Sequence, residues 1–158
     1  MMPVYGRKNR MPRVVENQRA KFETDPVLRQ LQEDCEIRYI DHFESNWEER
    51  QLRFRTECHE GCCKLGFVSN GVHLNLSFPK VAGSRYTSSE FVDFSREMGK
   101  VYIKCPLIFN GVCVTFYGLI DLQTLSGVGH VEFDEVLAQV EHDIMVETLR
   151  MKNLPLPQ

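Results

Sequence analysis

The chain of 158 residues has no long apolar stretch, and this absence narrows the class of protein it can be. A helix that spans a membrane needs about 20 consecutive apolar residues, and no segment approaches that length. Residues 1–10 carry charge but no apolar core, so we expect no secretory signal. Without export, the six cysteines indicate a reducing compartment and free thiols rather than a disulfide framework.

Catalytic and phosphate-binding motifs are lacking as well. The one G-x-G sequence, Gly127-Val128-Gly129, has none of the rest of a dinucleotide-binding fingerprint, and we interpret it as a glycine-rich turn. The neighbours Cys58 and His59 would point about 100° apart on a helix, which does not suit a thiol and its base. The sequence therefore predicts no enzymatic activity, no catalytic residues and no cofactor.

The cysteines also lack the spacing of a structural zinc site. Zinc takes four Cys or His ligands, usually as two separated pairs. Cys58 and Cys62 could form one pair, but no second C-x-x-C or H-x-x-x-H is present. We therefore predict no bound metal and keep a Cys/His zinc-stabilised interaction domain as an alternative.

Positive charge is scarce outside the N-terminal segment. The whole chain has 19 Lys and Arg against 22 Asp and Glu, yet residues 1–21 hold six of the basic residues and only Glu16. The other 137 residues therefore carry 13 positive and 21 negative charges, a net charge of −8. Nucleic-acid binding needs clustered Lys and Arg, so this acidic body favours a neutral or basic protein partner. A barrel that binds single-stranded nucleic acid by stacking stays a second alternative.

What is present is the composition of an ordinary folded domain. Hydrophobic residues make up 42% and charged residues 26% of the chain. A chain of this length buries about 70% of its unfolded surface. We predict a flexible basic tail over residues 1–10, a single domain over 11–152 and a C-terminal tail over 153–158.

Capping signals predict four helices. They are expected to begin after Asp25, at Ser45-Asn46-Trp47-Glu48, at Thr87-Ser88-Ser89-Glu90 and after Asp134. The second helix should run to about Cys58 and stop at Gly61. In the last helix the expected apolar stripe consists of Val136, Leu137, Val140 and Ile144.

Strands are predicted where apolar residues alternate with polar ones. The first covers Cys35 to Ile40, and two Asn-Gly dipeptides, at Asn70 and Asn110, predict two-residue hairpins in which both turn positions have φ > 0. Around the second hairpin the strands cover Lys100 to Phe109 and Val112 to Leu122. A further strand, Gly129 to Phe133, follows a turn at Ser126-Gly127. Tight turns make the sheet antiparallel, so the prediction is α+β: a partly open, about six-stranded antiparallel barrel flanked by helices.

One strand should have a buried face and an outward face. Leu74, Leu76 and Phe78 point one way, and His73, Asn75 and Ser77 point the other.

The second hairpin has an aromatic residue beside its turn. Phe109 lies directly before that turn, where an exposed aromatic residue would need a partner. Left-handed turns also present rigid backbone donors and acceptors to a docking loop. The two hairpins are therefore the candidate binding surface.

Short segments in collinear order carry a recognisable pattern. They are Met11 to Val15, Gln18-Arg19, Lys21 to Glu23, Glu33 to Tyr39, Glu48 to Gln51, Arg53-Phe54, Glu97 to Lys104, Asn110 to Val114, Ile120 to Gln123 and Glu132 to Glu135. Together they cover roughly residues 11–142. The chain resembles the core-binding factor beta subunit family, as a divergent or invertebrate member.

The resemblance implies a function without catalysis. Such a protein heterodimerises with a Runt-domain transcription factor, raises its DNA affinity allosterically and reaches DNA only through that partner. It implies a nuclear protein with a cytoplasmic pool when the partner is absent, and neither a membrane nor a small-molecule substrate is involved.

The resemblance also implies the partner-binding residues. Those that match the family are Arg13, Gly71, Leu74, Phe109 and Asn110. Asn70, His73 and Ser77 occupy interface positions but differ from the usual family residues, and the loop over 79–89 is shorter than in vertebrate members.

Overall fold

The structure, a computed structural model, describes residues 12–157 and contains four helices and seven strands in that range. In chain order they are α1 (Gln18–Thr24), α2 (Pro26–Leu31), β1 (Cys35–Tyr39), α3 (Trp47–Glu60), β2 (Cys62–Phe67), β3 (His73–Ser77), β4 (Val92–Asp93), β5 (Lys100–Phe109), β6 (Val112–Asp121), β7 (Ser126–Phe133) and α4 (Glu135–Lys152). The predicted tail over residues 1–10 lies outside the described residues. None of the helices in the described range is long and apolar enough to cross a bilayer.

The strands form one sheet in the order β3-β2-β1-β7-β6-β5-β4. β1 pairs antiparallel with both β2 and β7, and its Ile37 is opposite Phe67 on one side and Gly127 on the other. β3 and β4 are the two edges, so the sheet is not closed. The predicted α+β fold with a partly open antiparallel barrel is confirmed, with the short strand β4 as one strand more than expected.

The chain divides into two compact units. The terminal unit consists of the described residues of Met1–Gln30, Ile108–Val114 and Phe133–Gln158, and the sheet unit consists of Leu31–Leu107 and Thr115–Glu132. The core of the terminal unit is formed by Val14, Cys113, Ala138, Met145 and Leu149. In the sheet unit the largest fully buried side chains include Tyr39, Phe54, Phe67 and Phe116. One domain over 11–152 stays a prediction.

Helix ends follow local capping chemistry, with one shift. Asp25 Oδ1 accepts hydrogen bonds from the backbone N–H groups of Val27 and Leu28, as the start of α2 requires. α3 begins one residue later than predicted, because Asn46 rather than Ser45 is the cap and accepts from the Glu49 N–H. Gly61 ends it with φ 99°, as expected. α1 was not predicted; its cap is Asn17.

The predicted helix after Thr87 is wrong. Ser88 Oγ does accept from the Glu90 N–H, but the chain makes only one turn there. Val92 and Asp93 then pair with Ile103 and Tyr102 as strand β4, because pairing with β5 satisfies backbone groups that an isolated helical turn would leave open. Met98, which a helix continuing from Thr87 would place on the same face as Phe91 and Phe94, is exposed.

The apolar stripe predicted for α4 is wrong at its two valines, whereas Leu137 is partly buried against the core of the terminal unit. Val136 is 78% exposed and Val140 is 48% exposed. The buried face instead contains Ala138, Glu141, Met145 and Leu149. The buried face of the helix therefore differs from the predicted one, and its buried Glu141 carboxylate accepts hydrogen bonds from Arg13.

The turn predicted at Ser126-Gly127 lies earlier in the chain, at residues 122–125. Ser126 and Gly127 themselves belong to β7. A Cβ atom on Gly127 would lie 1.8 Å from the backbone oxygen of Leu119. The glycines of Gly127-Val128-Gly129 therefore allow a close approach of strands rather than a turn, which corrects the earlier interpretation.

Candidate partner-binding surface

The hairpin between β5 and β6 is the two-residue turn that its sequence predicts. Asn110 has φ 50° and Gly111 has φ 79°, as a tight turn matched to the twist of its strands requires. Asn110 is exposed, and Phe109 at the end of β5 is half-buried. The turn thus presents a polar side chain on a stiff backbone.

Residues before and within α1 hold this hairpin in place. The Val15 N–H donates to the Gly111 carbonyl oxygen at 2.9 Å, and Lys21 Nζ donates to the Asn110 carbonyl oxygen at 2.7 Å. A Cβ atom on Gly111 would lie 2.9 Å from Val15 Cγ1. Both hydrogen bonds use backbone oxygens, so neither occupies the Asn110 side chain.

Gln18 joins the same elements and was missed by sequence reasoning. Its buried side chain donates from Nε2 to the Ala138 carbonyl oxygen at 3.1 Å and accepts at Oε1 from the Cys113 N–H at 2.8 Å. One amide thereby satisfies a carbonyl in α4 and an N–H in β6. A polar residue in a helix of seven residues carries no sequence signal for this role, because its partners are more than 90 residues away.

Arg13 is anchored by an acidic residue on α4. Its Nε and Nη2 atoms donate to the two carboxylate oxygens of Glu141 at 3.3 and 2.5 Å. The Glu141 side chain is only 10% exposed, whereas that of Arg13 is 51% exposed. The bidentate pair therefore neutralises a nearly buried carboxylate and orients a guanidinium at the surface.

The hairpin between β2 and β3 has a different turn from the one predicted. Gly71 has φ 73°, but Asn70 does not have a positive φ. The Phe67 N–H donates to the Val72 carbonyl oxygen and the Gly71 N–H donates to the Phe67 carbonyl oxygen, so residues 68–71 form a four-residue connection. Asn70 Oδ1 accepts from the Val72 N–H at 3.0 Å, and this side-chain bond favours the wider turn.

The two faces of β3 agree with the prediction. His73, Asn75 and Ser77 are exposed, while Leu74 is 3% exposed and packs inward. Gly71 is exposed, and nothing lies within 4 Å of a Cβ atom built on it. In the free chain, therefore, His73, Ser77 and the turn are presented to solvent, whereas the side chain of Leu74 is not.

Comparison with known proteins tests the resemblance directly. The family model described as core binding factor beta subunit matches residues 11–157. Protein big brother of Drosophila melanogaster is 43% identical over 144 residues, which cover 91% of this chain and 67% of that protein. Protein brother of the same organism is 40% identical over the same shares. The chain belongs to the core-binding factor beta subunit family. The match extends beyond the segments recognised in the sequence and reaches past the end of α4.

Family membership defines the class of function. Core-binding factor beta subunits are non-enzymatic subunits of transcription factors and the non-DNA-binding partners of Runt-domain proteins. The family therefore implies a role in transcription regulation, and it points to the nucleus.

The family's candidate residues fall into two groups in this chain. Arg13, Phe109 and Asn110 belong to the terminal unit, and the structure brings the hairpin and the N-terminal segment together there. Asn70, Gly71, His73, Leu74 and Ser77 belong to the sheet unit, where β2 and β3 hold them on one hairpin.

The two thiols considered for zinc differ in burial. Cys58 is buried at the end of α3, whereas Cys62 is exposed. The Cys63 thiol is hydrogen-bonded to Cys58 and buried, and these two effects raise the pKa of Cys63 well above its ordinary value. Within residues 12–157 the one cluster with metal-ligand spacing is Asp41, His42 and Glu57, which sequence reasoning did not identify.

Proposed function

We propose that this chain heterodimerises with a Runt-domain transcription factor and raises the affinity of that partner for DNA allosterically. The observation that carries the proposal is membership of the family over residues 11–157. The exposed turn at Asn110, held by two backbone hydrogen bonds, supports it as a preorganised docking element.

Charge supports a role away from DNA. The chain outside residues 1–21 has a net charge of −8. Phosphate repels such a body, so the protein is best suited to act on DNA only through its partner. No membrane or small-molecule substrate enters this function.

The physical basis of the effect is linkage. A protein that does not touch DNA strengthens DNA binding only by favouring the binding-competent state of its partner. A tenfold gain in DNA affinity requires about 1.4 kcal/mol of coupling. If the DNA-contacting loops of the Runt domain are mobile alone, docking that orders them supplies this energy.

The proposed partner-binding residues are Arg13, Asn70, Gly71, His73, Leu74, Ser77, Phe109 and Asn110. Their roles differ with burial. Asn110, His73 and Ser77 are exposed and offer polar contacts, Phe109 offers a half-buried ring, and the guanidinium of Arg13 is held by Glu141. Leu74 is buried and supports the outward face of β3 from behind.

The test is a DNA-binding titration of a Runt domain at fixed salt, with and without this protein. We expect tighter DNA binding in its presence and no DNA shift by the isolated chain. Unchanged Runt-domain affinity would contradict the allosteric proposal. A salt-sensitive shift of single-stranded oligonucleotides by the isolated chain would favour the nucleic-acid-binding alternative instead. In cells, we propose a nuclear protein with a cytoplasmic pool when the partner is absent.

A further inference from the structure

Three ligand-type side chains meet between the end of β1 and helix α3. Asp41 and His42 lie two and three residues after the end of β1, and Glu57 lies on the last turn of α3. His42 Nε2 lies 2.9 Å from Glu57 Oε2 and 3.7 Å from Asp41 Oδ2. One ligand atom from each of the three residues lies within 4.8 Å of the others.

These separations suit a single small cation. Zinc binds imidazole nitrogen and carboxylate oxygen at about 2.0–2.2 Å, and tetrahedral geometry then places two ligands about 3.4 Å apart. The distances of 2.9 and 3.7 Å lie on either side of this value. Changes of about 0.5 Å or less would bring both His42 distances to this value, and the three ligand atoms, which lie within 4.8 Å of one another, would then occupy three of the four positions around one ion.

Neighbouring groups hold the ligands in this orientation. The Tyr39 hydroxyl donates to Glu57 Oε1 at 2.8 Å, which leaves Oε2 facing His42. Lys64 Nζ lies 3.8 Å from Asp41 Oδ2, the same oxygen that faces His42, so a bound ion would replace this ammonium as the partner of Asp41. The ligand side chains are 22% (His42), 32% (Asp41) and 23% (Glu57) exposed, so an ion can reach them in a partly dehydrated setting. Outer partners of this kind orient first ligands in metal sites.

A second histidine in the sheet unit shows what an ordinary ion pair looks like. His130 also has two carboxylates, but Asp34 lies 3.2 Å from Nδ1 and Glu132 lies 2.8 Å from Nε2. Carboxylates on opposite ring nitrogens cannot share one ion with that ring. At His42, Glu44 Oε1 lies 3.6 Å from Nδ1, but two further carboxylates, those of Asp41 and Glu57, both approach the other nitrogen, Nε2.

We propose that Asp41, His42 and Glu57 form a binding site for a divalent transition-metal ion of the zinc class. One imidazole with two carboxylates suits Zn²⁺, whereas Ca²⁺ requires six to eight oxygen ligands. The bound ion joins the segment after β1 to α3, and it stabilises the sheet unit. This site uses none of the proposed partner-binding residues and does not depend on a Runt domain.

The experiment uses the full chain without a histidine tag, treated with EDTA, dialysed, and kept reduced with a phosphine. Titration calorimetry with ZnCl₂ should give one ion per chain. At a hundredfold excess of Zn²⁺ over Kd, Tm should rise by about 5 °C or more. CaCl₂ at the same concentration should leave Tm unchanged.

Two variants remove ligands conservatively. His42→Asn keeps a residue type that tolerates the φ of 57° at this position, and Glu57→Gln retains an oxygen that accepts from Tyr39. Both should lose zinc binding, whereas the matched variant His130→Asn should retain it. The zinc-induced shift is measured against the metal-free Tm of each variant, so a change in basal stability does not affect the result.

Cysteine thiols could bind zinc in place of the three proposed ligands, and Cys62 is the exposed thiol of the described residues. Cys62→Ser should bind zinc like the parent, and Co²⁺ in place of Zn²⁺ should show no thiolate-to-metal charge-transfer band. The proposal is overturned if the parent binds no zinc, if His42→Asn binds as tightly as the parent, or if Cys62→Ser abolishes binding.

Discussion

At the scale of residues, Asn110 has two roles that involve different atoms: its backbone forms the turn, and its side chain is exposed for contact with a partner. Its backbone, with φ 50°, closes the turn and accepts from Lys21 through the carbonyl oxygen. Its exposed amide is then available to donate to and accept from a partner. Binding and folding at this position are therefore open to separate tests.

Replacement of Asn110 by glycine should weaken the heterodimer with little effect on Tm. Glycine adopts φ 50° without strain, so only the amide is lost. A polar group of the partner that loses its hydrogen bond to Asn110 weakens the binding free energy by about 1–3 kcal/mol, which raises Kd roughly 5- to 150-fold. Calorimetric titration with a Runt domain measures the loss.

The matched control is Asn153→Gly, which changes another left-handed asparagine, at the end of α4. It should leave Kd unchanged. Equal affinities of Asn110→Gly and the parent would remove Asn110 from the proposed interface.

Lys21 is a positioning residue for the same turn. Lys21→Met retains most of the aliphatic stem but loses the hydrogen bond to the Asn110 carbonyl oxygen, so the turn becomes less rigid. We expect Runt-domain affinity to fall about two- to fivefold, since an exposed hydrogen bond contributes about 0.5–1 kcal/mol. Lys21→Arg should restore most of it in the same titration, and Lys152→Met, at the end of α4, should have no effect. Full affinity in Lys21→Met would show that the bond does not position the turn.

At the scale of elements, two glycines are required for different physical reasons. Gly127 lies in β7 opposite Ile37 of β1, and its other neighbour is the backbone of β6 at Leu119. Gly99, by contrast, has φ 79° and nothing within 4 Å of a Cβ atom. The first glycine is required by space and the second by conformation.

Gly127→Ala should therefore destabilise the protein far more than Gly99→Ala. The added methyl group would overlap the Leu119 carbonyl oxygen, and relief requires β6 and β7 to separate, at about 3 kcal/mol or more. Gly99→Ala meets only the strain of a left-handed alanine, about 1–2 kcal/mol. Urea unfolding followed by circular dichroism measures both. Similar midpoints for the two variants would disprove the close approach of the strands.

At the scale of the whole molecule, burial decides the chemistry of the six cysteines. Cys58, Cys63, Cys105 and Cys113 are buried, Cys35 is half-buried and Cys62 is exposed. Burial raises the pKa of both Cys105 and Cys113 to about 12, so their reactive thiolates are scarce near neutral pH.

Reaction with a thiol reagent at pH 8 should therefore proceed in two classes. Cys62 and Cys35 should be modified first, and the four buried thiols only as fast as the protein opens. In urea all six should react together. Mass spectrometry of the modified peptides assigns each site. Rapid modification of Cys105 or Cys113 in the native protein would contradict the burial described here.

The sequence by itself determined those features that depend on near neighbours. Asn110-Gly111 closes a tight turn because both residues tolerate positive φ, and Asp25, Gly61 and Asp134 mark helix ends because capping is local. Alternation along β3 separated its buried and exposed faces correctly. The resemblance to the family was likewise a property of the sequence, since it rests on residues in collinear order.

Tertiary structure decided whatever depends on residues far apart in the chain. Pairing with β5 made a strand of Val92-Asp93 where local signals indicated a helix, and the pair of Arg13 with Glu141 placed a carboxylate on the buried face of α4. The convergence of Asp41 and His42 with Glu57 depends on how α3 packs beside β1. Local propensities are worth less than about 1 kcal/mol per residue, whereas long-range pairing and burial contribute more, and no short sequence window contains the partner residues.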